Sequence, residues 1–123
     1  MFVKQLLLAC SLLAISAEPP QAHDIYSHLV DDRGEACCDN TECRPAHYRF
    51  SFSGVEMFVY SQWFAVPPHM VQYRALPGDT GETRGGHWCG SFGSDAPGAI
   101  ALIYTRCAIL PPQAASVAHI IAQ

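Results

Sequence analysis

Residues 35–44, EACCDNTECR, decide how this chain folds. They hold three of its six cysteines. Cys37 and Cys38 are adjacent, so their side chains leave the backbone in different directions. One short loop can therefore be tied to two places at once. Cys89 and Cys107 stand far along the chain, where a distant strand or loop supplies the other ends.

Upstream of this loop the chain begins like a secretory leader. Lys4 gives a positive start, an apolar run follows over residues 6–15, and small residues come next. The run is too short to cross a bilayer, which takes roughly 20 apolar residues. Two cleavage points fit, after Ala17 or after Ala22, and neither is an ideal small-x-small site. The LLAC at residues 7–10 hints at a lipid-anchor box, but few apolar residues precede Cys10. The expected organisation is a signal peptide over 1–22, one small domain over 23–112 and a tail over 113–123.

Losing the leader changes the charge and the cysteine count. Lys4 is the only lysine, so the mature chain carries six arginines against ten acids, a net −4. An acidic chain without a basic patch is not a nucleic-acid binder. Lysine Schiff-base chemistry is excluded. Cys10 leaves, so Cys37, Cys38, Cys43, Cys89 and Cys107 remain. An oxidising compartment pairs cysteines, which leaves one over. The preferred arrangement joins the Cys37–Cys38 pair to Cys89 and Cys107 and frees Cys43. A local Cys38–Cys43 bridge is the alternative. Closing a loop as long as Cys38 to Cys107 contributes roughly 4 kcal/mol under the chain-entropy model.

Downstream, the pattern turns to strands. Tyr48, Phe50 and Phe52 alternate with Arg49, Ser51 and Ser53, a period of two with one apolar face. Val55 to Tyr60 and Trp63 to Val66 extend this to a three-stranded meander, turning at Ser53-Gly54 and Ser61-Gln62. Val71 to Leu76 reads as a fourth strand and Ala99 to Leu110 as a central one, with soft segments over 77–86 and 90–98. Residues 23–30 read as a short helix, with Ile25 and Leu29 on one face. Ala114, Val117, Ala118 and Ile121 have helical spacing near the end. The fold class is mainly β: a small antiparallel sheet or meander of four to six strands, stapled by disulfides, with a short N-terminal helix and a C-terminal helix or frayed end.

Candidate chemistry is thin. Cut after Ala22, the chain would start at His23, whose amine and imidazole chelate copper with help from His28, His47, His69 or His87. Zinc would draw on His87 and the cysteines, but no C-x-x-C pair is present. His87 and Cys89 share a side in a strand, the arrangement of a thiol and its base. Asp24, Asp31, Asp32, Glu35, Asp39 and Glu42 crowd the N-terminal part without an EF-hand spacing. Tyr60, Trp63, Tyr73 and Trp88 are candidates for a stacking surface, with core the plainer role. No residue takes a catalytic role, and copper is the favoured metal.

The pieces HDIY, CCDNTECRP, VQYRALPGDTGETRGGHWCG and CAILPP together resemble a group of small exported alphaproteobacterial proteins. The group has an HD-x-Y start, a CC-x4-C-R/A-P loop and a C-x-x-x-P-P ending. The resemblance spans residues 23–112. It implies export to the periplasm or beyond and favours cleavage after Ala22. It brings no catalytic residue with it. The expected function is a non-enzymatic binding or envelope-accessory module. Its surface would be the 78–88 loop, with Asp79, Glu82, Arg84, His87 and Trp88, and its ligand an envelope or extracellular one. Copper binding through His23 is the second reading and a thiol-dependent enzyme the third.

Overall fold

The computed structural model describes residues 25–93 and 102–121. Among the described residues, seven strands form two sheets. The small sheet is the expected meander: β2 (His47–Ser51), β3 (Gly54–Val59) and β4 (Gln62–Ala65), all antiparallel. Its alternation is physical. Val55, Met57 and Val59 are buried, while Phe58 and Trp63 face out. Both turns sit one residue earlier than the sequence suggested. Ser51 pairs with Gly54 around Phe52-Ser53, and Val59 pairs with Gln62 around Tyr60-Ser61. Tyr60 and Ser61 both have positive φ, 52° and 63°. This is the twist that a tight hairpin needs, and one usually met by Asn-Gly. Tyr60 accepts it because its ring is held elsewhere, 4.4 Å from Phe92 and 6.0 Å from Trp88.

The larger sheet runs β1-β6-β7-β5, with β1 Glu42–Pro45, β5 Val71–Tyr73, β6 His87–Gly93 and β7 Leu102–Leu110. It differs from the sequence expectation in three ways. The end of the cysteine loop is an edge strand, β1. Residues Gly90 to Gly93, read as soft, continue β6. Finally, β5 runs parallel to β7, so the fold is not purely antiparallel. The central strand expected from Ala99 is described from Leu102, and it is central as expected.

One face of this sheet packs on the meander. Trp88, Ala108 and Leu110 meet Val55, Met57 and Val59 in the main core. The other face carries Cys89, Cys107 and Ile109, covered by Tyr26, Leu29, Cys37 and Leu76. A sheet covered on both faces loses the period-two signature. That is why His87 to Gly90 are all buried and why the sequence showed no alternation there.

A bulge shapes the middle of this sheet. Cys89 pairs with Cys107, but Gly90 pairs with Thr105, which leaves Arg106 as the extra residue. Bulges re-aim side chains. Here Arg106 Nη1 donates to the carbonyls of Ala36 and Asp39, at 3.1 and 3.0 Å, and so pins the cysteine loop. Gly90 is required at the bulge. A Cβ there would run into the Tyr104 carbonyl and the Trp88 ring.

The ends also differ from expectation. Within the described residues, the expected N-terminal helix is a short 3₁₀ turn at Ile25-Tyr26. Pro111-Pro112 does not close the fold but opens α1 (Ala114–Ile121): Ala114 and Ala115 donate to the carbonyls of Pro111 and Pro112. Proline suits a first helical turn because its missing N–H would be unpaired anyway. Ala114 is buried, whereas Val117 and Ile121 are exposed, so the packed face is rotated from the expected one.

Candidate functional site

The sulfur-bearing face of the larger sheet is where the chemistry gathers. Register places Cys43, Cys89 and Cys107 side by side on β1, β6 and β7. Cys37 is joined to Cys107 by a disulfide that closes a separation of 70 residues. Cys37 thus reaches one of its two expected partners. The freedom expected for Cys43 is not what the structure shows. The Cys43 sulfur lies in bonding range of both Cys38 and Cys89. All three sulfurs fall within 4.8 Å of one another. A cysteine sulfur forms one S–S bond, so the trio can hold one bridge and one thiol.

Next to the sulfurs, His87 is buried on β6 with both ring nitrogens engaged. Tyr26 Oη lies 2.9 Å from Nδ1, and Asp79 Oδ1 lies 3.0 Å from Nε2. A carboxylate can only accept, so Nε2 carries the proton and Nδ1 accepts from the Tyr26 hydroxyl. That neutral tautomer satisfies every atom. Burial pushes the His87 pKa down, and the Asp79 carboxylate opposes this without reversing it. The Asp79 contact is therefore a hydrogen bond to a charged acceptor rather than an ion pair. The same burial, with the charges of Asp79 and Glu82, pushes Tyr26 up to about 12.

The 77–86 loop is tied down to deliver Asp79. Gly78, Gly81, Arg84 and Gly85 all have positive φ, and a Cβ on Gly78 would strike the Ile25 side chain. Thr83 is buried, and its hydroxyl donates to the Gly86 carbonyl. Successive turns result, closed by Arg84 to Gly81 and Gly86 to Thr83 backbone bonds.

Between this loop, the N-terminal turn and β1 lies a cleft of about 460 Å³. Ile25, Pro45 and the half-buried Cys38 and Cys43 supply its apolar wall. Arg44, Thr80 and Glu82 supply its polar groups, with the ring of His87 beneath them. Arg44 pairs with Glu42 and stacks 4.6 Å from the Tyr60 ring centre. Its Nε is buried and, among the described residues, has no hydrogen-bond partner.

Several expected site residues fall elsewhere. Trp88 is core, fully buried, with its Nε1 donating to Thr105 Oγ1 at 2.9 Å. It cannot be part of a binding surface. His87 lines the cleft only from beneath. Asp79 is spent on His87, and Arg84 points over the Tyr48 ring, 5.8 Å from its centre. Of the metal candidates, His23 lies outside the described residues. His28 and His47 are exposed, and His87 has no nitrogen to spare. The disulfide removes Cys37 and Cys107 from any zinc set. Asp31 caps its own turn, accepting from the backbone of Arg33 and Glu35, which holds its carboxyl below the usual range. Trp63 is the one stacking candidate that faces out with another ring, 5.3 Å from Phe58, and Arg49 lies over it.

Sequence reasoning missed Tyr26 and Arg44 as parts of the site, while Thr80 falls within the expected 78–88 loop. The HDIY start placed Tyr26 beside the leader, and no spacing rule links it to a histidine 61 residues away.

Fold and site together define a small two-sheet β module with disulfide-range cysteines and a cleft floored by sulfur. Comparison with known protein families, curated proteins and solved structures found no match to this chain.

Proposed function

We propose that this protein is an exported, non-enzymatic binding module of the cell envelope and that its ligand occupies the cleft beside His87. The observation that carries the reading is a preformed cleft of about 460 Å³ whose apolar wall meets the polar side chains of Arg44, Thr80 and Glu82. Cavities of this size, mostly apolar with a few convergent polar groups, are the usual form of a small-molecule site. His87 supports binding over catalysis, since both its nitrogens are committed to holding the walls together. Export rests on the leader-like start. Among the described residues, no helix is long and apolar enough to cross a membrane.

A second cleft of about 450 Å³ lies between α1 and the β2–β3 hairpin, walled by Phe50, Val71, Tyr73 and Ala118. It is about as apolar as the first, with Ser53, Tyr73 and His119 as its polar side chains, and it lies away from His87 and the cysteines, so the first is preferred. An NMR screen with small carboxylates and neutral fragments tests the choice. The amides of Arg44, Thr80 and Glu82 should shift, and Arg44→Ala should abolish the response to the carboxylates. Hits confined to the α1 groove, or no hits, would overturn the assignment.

A further inference from the structure

The three-sulfur cluster offers chemistry that a static staple does not. We infer that Cys38, Cys43 and Cys89 form a thiol–disulfide exchange site, in which one S–S bond occupies either of two positions and the Cys38 thiol captures a small thiol compound from its disulfide. The inference rests on the cleft only for the route by which that compound enters.

Valence is the first support. Five cysteines lie among the described residues, and the Cys37–Cys107 bridge uses two. The remaining three are odd in number, so one bridge among them leaves one thiol. Geometry is the second. Cys43 and Cys89 face each other across β1 and β6 with Cα atoms 4.1 Å apart. Cys38 approaches Cys43 from the loop side with Cα atoms 6.1 Å apart. Whichever bond is made, the third sulfur already lies within 4.8 Å of it. Exchange then needs rotation of side chains, with the strands left in place.

Exposure gives the two positions different meanings. Cys89 is fully buried, so a thiol there is hidden. Cys38 is half-buried and lines the cleft, so a thiol there meets solutes. Moving the bond from Cys38–Cys43 to Cys43–Cys89 transfers the thiol from the hidden site to the open one. In that step the Cys89 thiolate attacks the Cys43 sulfur. The Cys38–Cys43 bond breaks, its electron pair leaves on Cys38, and Cys38 takes up a proton to replace the one Cys89 gave to water. Nothing is oxidised or reduced overall. In the capture step the Cys38 thiolate attacks one sulfur of a small disulfide. A Cys38–S bond forms, the S–S bond of that compound breaks, and its other half departs as a thiolate that is then protonated.

The test uses the oxidised mature protein, quenched in acid, labelled with N-ethylmaleimide after unfolding and mapped without reduction. One label per chain is expected, shared between Cys38 and Cys89, with Cys37–Cys107 intact. Prior incubation with glutathione disulfide should place one glutathione on Cys38 and remove the label there and at Cys89. Cys89→Ser should fix the bond at Cys38–Cys43 and abolish both label and adduct. Cys38→Ser, at a half-exposed position where folding is less at stake, should lose the adduct too. Label confined to Cys89 with no adduct would overturn the inference, as would three free thiols holding a metal. These readings are independent of the fragment screen, so the exchange site and the cleft assignment can fail separately.

Discussion

At the scale of single residues, His87 shows most clearly how sequence chemistry and burial compete. Its carboxylate neighbour favours the charged ring, yet desolvation is the larger effect and the pKa falls below the ordinary 6.5. The linkage sign follows. As the pH drops below 6.5, the unfolded chain takes up this proton before the folded one does. The contribution to stability is therefore complete above that pH and is lost as the pH falls toward the folded midpoint. An NMR titration should show the Nε2–H tautomer and a midpoint below 6.5. A midpoint above 6.5 would mean that Asp79 dominates. Trp88 illustrates a different limit. Its position beside Cys89 gave no hint whether it faced the loop or the core. Only the packing of Tyr60 and Phe64, each about 6 Å from it edge-on, fixes it inside.

At the scale of elements, the β6–β7 bulge is the feature on which the site depends. It lets Cys89 and Cys107 stay opposite each other while Arg106 turns toward the cysteine loop. Gly90 makes the close passage over Trp88. Gly90→Ala should cost about 2–3 kcal/mol, since the backbone carbonyl of Tyr104 and a core ring must both give way. Urea unfolding measures this, and a cost under about 0.5 kcal/mol would show that the passage is looser than described. The meander was legible because β2 and β3 have one covered face each, and Tyr48, Phe50, Val55 and Met57 record it. β1 and the first half of β6 were not legible. ECRP is too short and too polar to register as a strand, and HWCG is covered on both sides, which erases alternation. The turn at Tyr60-Ser61 was misplaced by one residue because nothing local favours positive φ there. Contacts with Phe92, Trp88 and Glu42, all distant in sequence, hold it.

At the scale of the whole molecule, two apolar clusters sit on opposite faces of one four-stranded sheet. The cluster under the meander has large side chains and stands on ordinary packing. The one under the cysteine loop is small, and its cover is an N-terminal turn and a loop with little secondary structure of their own. The Cys37–Cys107 bridge fastens that cover to the central strand β7. The cysteine count and the adjacent pair forecast this cross-linking. They left the partners open, because pairing depends on a strand register that local sequence does not encode.

The bridge closes a separation of 70 residues, for which loop-closure entropy gives roughly 4 kcal/mol. In a domain of this size that corresponds to a melting temperature lowered by roughly 15–30 °C when the bridge is lost. The most direct test is the thermal unfolding of the oxidised protein beside its Cys37→Ala/Cys107→Ala form. A large fall in melting temperature, with exchange protection lost first around Tyr26 and Leu29, is the predicted result. Equal melting temperatures and equal protection would contradict the account.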